Sequence, residues 1–132
     1  MLTANAFDKA RQLKDRIEEM DFCKVLNPGT PGPSVCWWVL PRGRNAKEIF
    51  SALVEGKLSE EDRNQYFHEI KRLYDKREAV LDHAVDARLS FTTSIGYSPH
   101  GIKVPAWKAV FFNPKTDDEV IDRVIQSIED VA

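Results

Sequence analysis

Seven consecutive residues, Ser34-Val-Cys-Trp-Trp-Val-Leu40, run without polar alternation and are closed off by Pro33 and Pro41. The run is too short for a helix that stands alone, and its β-branched and aromatic content favours a strand covered on both faces. Successive side chains on a strand point to opposite faces, so Trp37 and Trp38 require each face to bury a large ring. Such a strand is expected at the centre of a sheet. The rest of the chain must supply its neighbours and its cover.

Helical periodicity supplies part of that cover. Residues 5–20 place Ala6, Ala10, Leu13, Ile17 and Met20 on one stripe, with Asp8, Arg11, Asp15 and Glu19 among the residues on the remaining surface. Residues 46–58 carry Ile49, Phe50, Leu53 and Val54 at helical spacing, with Gly56 as a stop. Ser59 followed by Glu60-Glu-Asp62 reads as the start of a further helix that extends to about Asp82. A last helix opens with Thr116 and Glu119 as a capping box, and its Val120, Ile121, Val124, Ile125, Ile128 and Val131 demand a docking surface.

Strand signals fill the gaps between these helices. Phe22–Leu26 has strand length and ends at the turn-rich Asn27-Pro-Gly-Thr-Pro-Gly-Pro33, which no helix could cross. Arg88–Gly96 alternates Leu89, Phe91, Thr93 and Ile95 against Ser90, Thr92 and Ser94, a strand with one wet face. Tyr97-Ser-Pro-His-Gly101 then reads as a five-residue loop leading to a strand over 102–112. The order predicts one α+β domain over residues 1–132, a four-stranded, mainly antiparallel sheet with helices on one face.

A formal net charge of −2 and a pI near 5.9 create no field that would draw the chain to nucleic acid or to an anionic membrane. No apolar run is long enough to span a bilayer and the N-terminal residues lack a leader pattern, so a cytoplasmic location is expected. Cys23 and Cys36 read as reduced core thiols, and His68, His83 and His100 have no ligand spacing, so no metal is expected. There is no P-loop, no glycine-rich dinucleotide turn and no serine elbow motif. The acidic runs fall at helix starts, Arg42 and Arg44 form a basic turn, and His100 stands in a turn where a ligand contact is possible.

Lys108 stands apart from these groups. With period two, Val104, Ala106, Lys108, Val110 and Phe112 share one face while Pro105, Trp107, Ala109 and Phe111 share the other, and both faces are apolar. A lysine in such a row reaches an edge, pairs with a buried acid, or points into a cavity that takes an anion.

The stretch Tyr97-Ser-Pro-His-Gly-Ile-Lys-Val-Pro-Ala-Trp-Lys-Ala-Val-Phe-Phe-Asn-Pro114, with the helix after it, resembles the closing segment of the glutamate decarboxylase group of pyridoxal-phosphate-dependent enzymes. Val35-Cys-Trp-Trp-Val-Leu-Pro41 is similar to a strand of the same group, whereas 42–87 matches in helical character alone. The resemblance implies the small C-terminal domain of a fold-type-I decarboxylase acting on an acidic amino acid such as glutamate or aspartate. It further implies pyridoxal phosphate held by a large domain outside this chain, a homodimer, and an isolated chain without activity. The arginine that clamps the substrate carboxylate in that group falls on Lys108. Lysine keeps the charge but loses the planar fork of arginine. Lys108 is therefore the expected substrate contact, with His100 as a second candidate and no catalytic residue in the chain. A domain that docks on a larger one is also expected to expose apolar surface, to which Trp107 or Phe111 would contribute. The competing reading is a free-standing, non-catalytic interaction module in which Lys108 is a paired core lysine.

Overall fold

A computed structural model of the chain describes residues 4–29, 32–77, 87–111 and 118–132. Its elements run α1 (Ala4–Glu18), β1 (Cys23–Val25), β2 (Ser34–Val39), α2 (Ala46–Val54), α3 (Glu60–Lys76), β3 (Ala87–Thr92), β4 (Ala106–Phe111) and α4 (Asp118–Val131). The strands form one sheet in the order β1-β2-β4-β3, with every pairing antiparallel. The strand with the paired tryptophans is therefore central, and the fold is the α+β architecture expected.

Register sorts the strand residues into two faces. One face carries the rows Val35, Ala109, Leu89 and Val25, Trp37, Trp107, Phe91, together with Cys23, Val39 and Phe111. All of these are buried except Phe91, which is half-buried. The opposite face carries Ser34 with Val110, Cys36 with Lys108 and Ser90, and Lys24 with Trp38. There Ser34, Lys108, Val110, Ser90 and Lys24 are only half-buried.

Both tryptophans of β2 are fully buried, each in its own aromatic setting. Trp37 stacks at a tilt on Trp107, centroids 6.0 Å apart, and Trp107 meets Tyr74 of α3 edge-on at 5.4 Å. The Trp107 indole N–H donates to the Ile70 carbonyl at 3.2 Å. Trp38 is packed by Phe50 of α2 at 5.1 Å and Phe67 of α3 at 6.0 Å, and its indole donates to Pro105 O at 2.9 Å. This corner is where the second face is sealed. Ala10, Leu13 and Ile17 of α1 and the apolar stripe of α4 join the same core, so the last helix is docked as its periodicity required.

The helix starts follow their side chains. Asn45 accepts from Glu48 N and Ser59 accepts from Asp62 N, each satisfying an amide that the first turn leaves unbonded. The Thr116 cap lies outside the described residues. The helix after Asn45 ends at Val54, and Gly56 at φ 74 turns the chain out of it, the stop expected. Two expectations are corrected. The long helix ends at Lys76, where Arg77 takes up an extended backbone, and the rest of the expected span to about Asp82 lies outside the described residues. The connection between β3 and β4 covers 93–105 in place of the five residues expected. Thr92 explains its start: its hydroxyl donates to Ser94 O and accepts from Ser94 N, which bends the chain off the ladder. Pro105, which has no N–H, stands where the ladder would otherwise begin again.

Both cysteines are buried free thiols, as expected. Trp107 and Phe111 are fully buried and contribute nothing to the surface, contrary to expectation. Among the described residues the large apolar side chains that are exposed are Phe7, Val54 and Tyr97.

Candidate functional site

A cleft of about 320 Å³ opens on the half-buried face of the sheet, lined by Leu26, Asn27, Ser34, Cys36, Ile95, Tyr97 and Lys108. The sheet supplies its floor. Cys36 and Lys108 are register partners on β2 and β4, so both side chains emerge on the same face. Ser34 precedes them by one pleat. The β3–β4 connection contributes Ile95 and Tyr97, the latter 53% exposed.

The rim depends on Asn27. β1 stops at Val25, and from there the Asn27 side chain continues the pairing: its amide N–H donates to Ser34 O at 3.0 Å and its oxygen accepts from Cys36 N at 2.9 Å. Leu26 N donates to Cys36 O at 2.8 Å. These bonds hold the start of β2 where it borders the cleft.

Among the described residues the Lys108 side chain makes no ion pair and no hydrogen bond, so no described acid holds it. It stands as a half-buried cation beside a thiol in a cleft with apolar flanks. Burial pushes the Cys36 thiol up from its ordinary range, and the positive charges of Lys108 and Lys14 offset part of that rise. Cys36 is accordingly a neutral thiol at physiological pH. Such a cleft can take an anion beside Lys108 and a small side chain against Leu26 and Ile95.

His100 does not line this cleft. It lies further along the same connection, where its Nε2 sits 2.8 Å from Val54 O at the end of α2. The carbonyl can only accept, so this nitrogen carries a proton. Arg42 and Arg44 are both occupied: Arg42 donates to Glu129 O at 2.9 Å and covers the Phe22 ring, and Arg44 pairs with Glu69 at 3.7 Å. His68 is exposed on α3, and His83 lies outside the described residues. Sequence reasoning reached Lys108 and missed Cys36, Asn27 and Ser34 as its neighbours. The available signal was the Asn-Pro after the first short strand, which marks a turn able to return a side chain to the sheet.

The described residues do not make a pyridoxal-phosphate site. The ring nitrogen of that cofactor needs a carboxylate against it and its aldehyde needs a lysine close by. The buried polar side chains here are Lys14 and Ser127, with no acid among them, and the cleft holds one lysine and no carboxylate.

Neither a protein-family profile nor a curated protein matches the sequence. Solved structures do match. The fold is that of a small α+β domain, of a kind that forms one part of a much longer solved chain. One likeness is to mouse CSAD in apo form, with a TM-score of 0.57 and 18% identity over 96% of this chain and 22% of that one. Rhodiola rosea 4-hydroxyphenylacetaldehyde synthase also matches, with a TM-score of 0.49 and 13% identity over 97% of this chain and 21% of that one. The chain thus spans about a fifth of the length of the solved structures it matches.

Proposed function

We propose that the chain is the small C-terminal domain of a pyridoxal-phosphate-dependent amino-acid decarboxylase, and that Lys108 binds a carboxylate of the substrate. The observation that supports this best is the position of Lys108. The residue that the family resemblance puts in place of a carboxylate-binding arginine is a half-buried cation in a cleft, with no partner among the described residues. A fold shared with mouse CSAD over 96% of the chain supports the same reading independently of the motif.

In this reading the cofactor and the groups that hold it belong to a large domain, and the present domain contributes substrate binding and closure. The substrate is a small amino acid with an acidic side chain, such as glutamate or aspartate. The full-length enzyme is a cytoplasmic homodimer. One positive charge on a flexible stem fixes a carboxylate less rigidly than a guanidinium fork, so orientation depends more on the cleft walls.

The test is carbon dioxide release by the full-length product, supplied with pyridoxal phosphate, from a panel that includes glutamate, aspartate, cysteine sulfinate and aromatic amino acids. Release from an acidic member, with a large loss on Lys108→Ala, is the expected result. Release from none of them overturns the reading. The 132-residue chain alone is expected to incorporate no stoichiometric pyridoxyl group on borohydride reduction, and selective labelling of one lysine would contradict the division of labour.

A further inference from the structure

The connection between β3 and β4 carries the outer wall of the Lys108 cleft, Ile95 and Tyr97. Its two ends are tied to the fold: Ile95 N donates to Val104 O at 3.1 Å, and Pro105 O accepts from the Trp38 indole. The reach between them folds into a tight turn at Pro99–Gly101, with Gly101 N bonded to Ser98 O and Ile102 N to Pro99 O. Those bonds shape the turn but do not attach it. Packing of the buried Pro99 and of Ile102 attaches it from below, and the polar attachment is His100, whose Nε2–H donates to Val54 O at 2.8 Å.

The acceptor is a carbonyl that α2 leaves over. The helix closes with Lys57 N on Ala52 O at 2.8 Å and Gly56 N on Leu53 O at 3.1 Å, a double closure that passes over Val54 O. The imidazole fits closely above Gly56, where an added Cβ would lie 3.3 Å from Nε2 and 3.4 Å from Cε1. His100 is also the non-glycine residue that takes a positive φ among the described residues, at φ 54 and ψ 29. A side chain at that backbone position is unfavourable unless something holds it. The bond to Val54 O is what holds it, and a glycine at 56 leaves it room.

We propose that His100 is a positioning residue: its imidazole latches the 93–105 connection to the C-terminal end of α2 and so sets how far Ile95 and Tyr97 close over Lys108. The consequence for a bound carboxylate rests on the functional reading given above, whereas the latch does not. It assigns His100 a role through the cleft wall in place of contact with a ligand, since the ring nitrogen facing α2 is already engaged.

The test is site-resolved acetylation of the lysines of the 132-residue chain by an N-hydroxysuccinimide ester, with exposed Lys76 on α3 as internal reference. His100→Gly keeps the positive φ accessible and removes the imidazole; Gly56→Ala keeps the imidazole and crowds it. Both are expected to raise the ratio of Lys108 to Lys76 labelling, His100→Gly by several-fold and Gly56→Ala by less, while amide-exchange protection of Ala109 in β4 stays at the wild-type level. That pattern is local opening of one segment. The proposal is overturned if the ratio stays within about twofold of wild type in both variants, or if Ala109 loses protection in step with the lysines, which marks general loosening. Should His100→Gly fail to fold, Gly56→Ala decides alone. Neither readout involves turnover, so failure of the latch leaves the assignment of Lys108 standing, and failure of that assignment leaves the latch standing.

Discussion

The two faces of the sheet are built from the same strands yet have opposite characters. On one, Val35, Trp37, Trp107, Ala109 and Phe111 are all at 0% exposure, so nothing but side-chain packing takes place there. On the other, one residue along in each strand, Ser34, Lys108, Val110 and Ser90 keep part of their surface open, and a cleft lies over them. The period of two lets one strand hold the domain together with its odd positions and present chemistry with its even ones. Lys108 is thus flanked in sequence by two of the most buried residues of the chain, which fix its backbone without touching its charge.

The sharpest way to break this contrast is to cut into the packed face. Trp107→Ala removes the ring that meets Trp37 and Tyr74 and that donates to Ile70 O. It is expected to cost about 3–5 kcal/mol, read as a lower urea midpoint. That is about a fifth or more of the stability of an ordinary domain. A midpoint unchanged by Trp107→Ala would mean that the packed face is not what holds the domain.

The matching change on the open face is expected to divide differently. Lys108→Ala leaves the urea midpoint nearly where it was, with a loss under about 1 kcal/mol, because no bond to a described residue is broken. Under the proposed function, it is expected to lower kcat/KM of the full-length product for the proposed acidic substrate by roughly 10- to 100-fold, the order for loss of one charged hydrogen-bond partner. Lys108→Arg restores much of that loss if the cleft admits the fork. The reverse outcome, kcat/KM within about twofold and a clearly lower midpoint, would return Lys108 to a purely structural role.

How much of this was legible in the sequence follows from the range of each signal. The central strand was readable because two adjacent tryptophans leave no other placement, and the caps at Ser59 and Gly56 were readable because a cap is a local event. The β3–β4 connection was misjudged for the opposite reason. Tyr97-Ser-Pro-His-Gly101 has the composition of a hairpin loop, but the strands stop at Thr92 and resume after Pro105, and His100 reaches a helix more than forty residues earlier, a contact that no local pattern encodes. The cleft was half legible: Lys108 stood out in an apolar row, while Asn27 and Cys36 join it only through the antiparallel register of β2 on β4. Expecting Trp107 or Phe111 at the surface failed because the packed face takes up both rings completely. The residues that stay open are those beside Lys108.

A smaller effect tests the helix that touches both aromatic settings. α3 sends Phe67 to Trp38 and Tyr74 to Trp107, and it starts at the Ser59 hydroxyl, which accepts from Asp62 N at 3.1 Å. Ser59→Ala is expected to lower stability by about 1 kcal/mol. Because the cap acts at the N-terminal end, near Phe67, tryptophan quenching should report loosening around Trp38 before Trp107. Equal and simultaneous change at both rings would show that the two settings behave as one unit.

The smallest expected effect sets the two thiols against each other, one on each face. Burial raises both above the ordinary thiol value, Cys23 on the packed face strongly and Cys36 on the open face less, since Lys108 and Lys14 favour its thiolate. For each, the folded protein keeps its proton at a pH where the unfolded chain, with thiols near about 8.5, has lost it. The folded state then binds more protons, so the stability present below that pH is lost as pH rises toward the folded value. Lys14 works in the other direction: burial lowers its folded value, the unfolded chain holds the proton longer, and its share of stability grows as pH climbs toward 10.5. Two thiols against one amine leave a net fall above about pH 8.5. The contribution of Cys36 is the smaller of the two, because it is less deeply buried than Cys23 and its shift is the lesser. Urea midpoints measured from pH 7 to 10 should therefore fall, with the fall flattened more by Cys23→Ala than by Cys36→Ala at the upper end. If the two substitutions flatten it equally, Cys36 is as sealed as Cys23, and the face that carries Lys108 is closed to solvent instead of open.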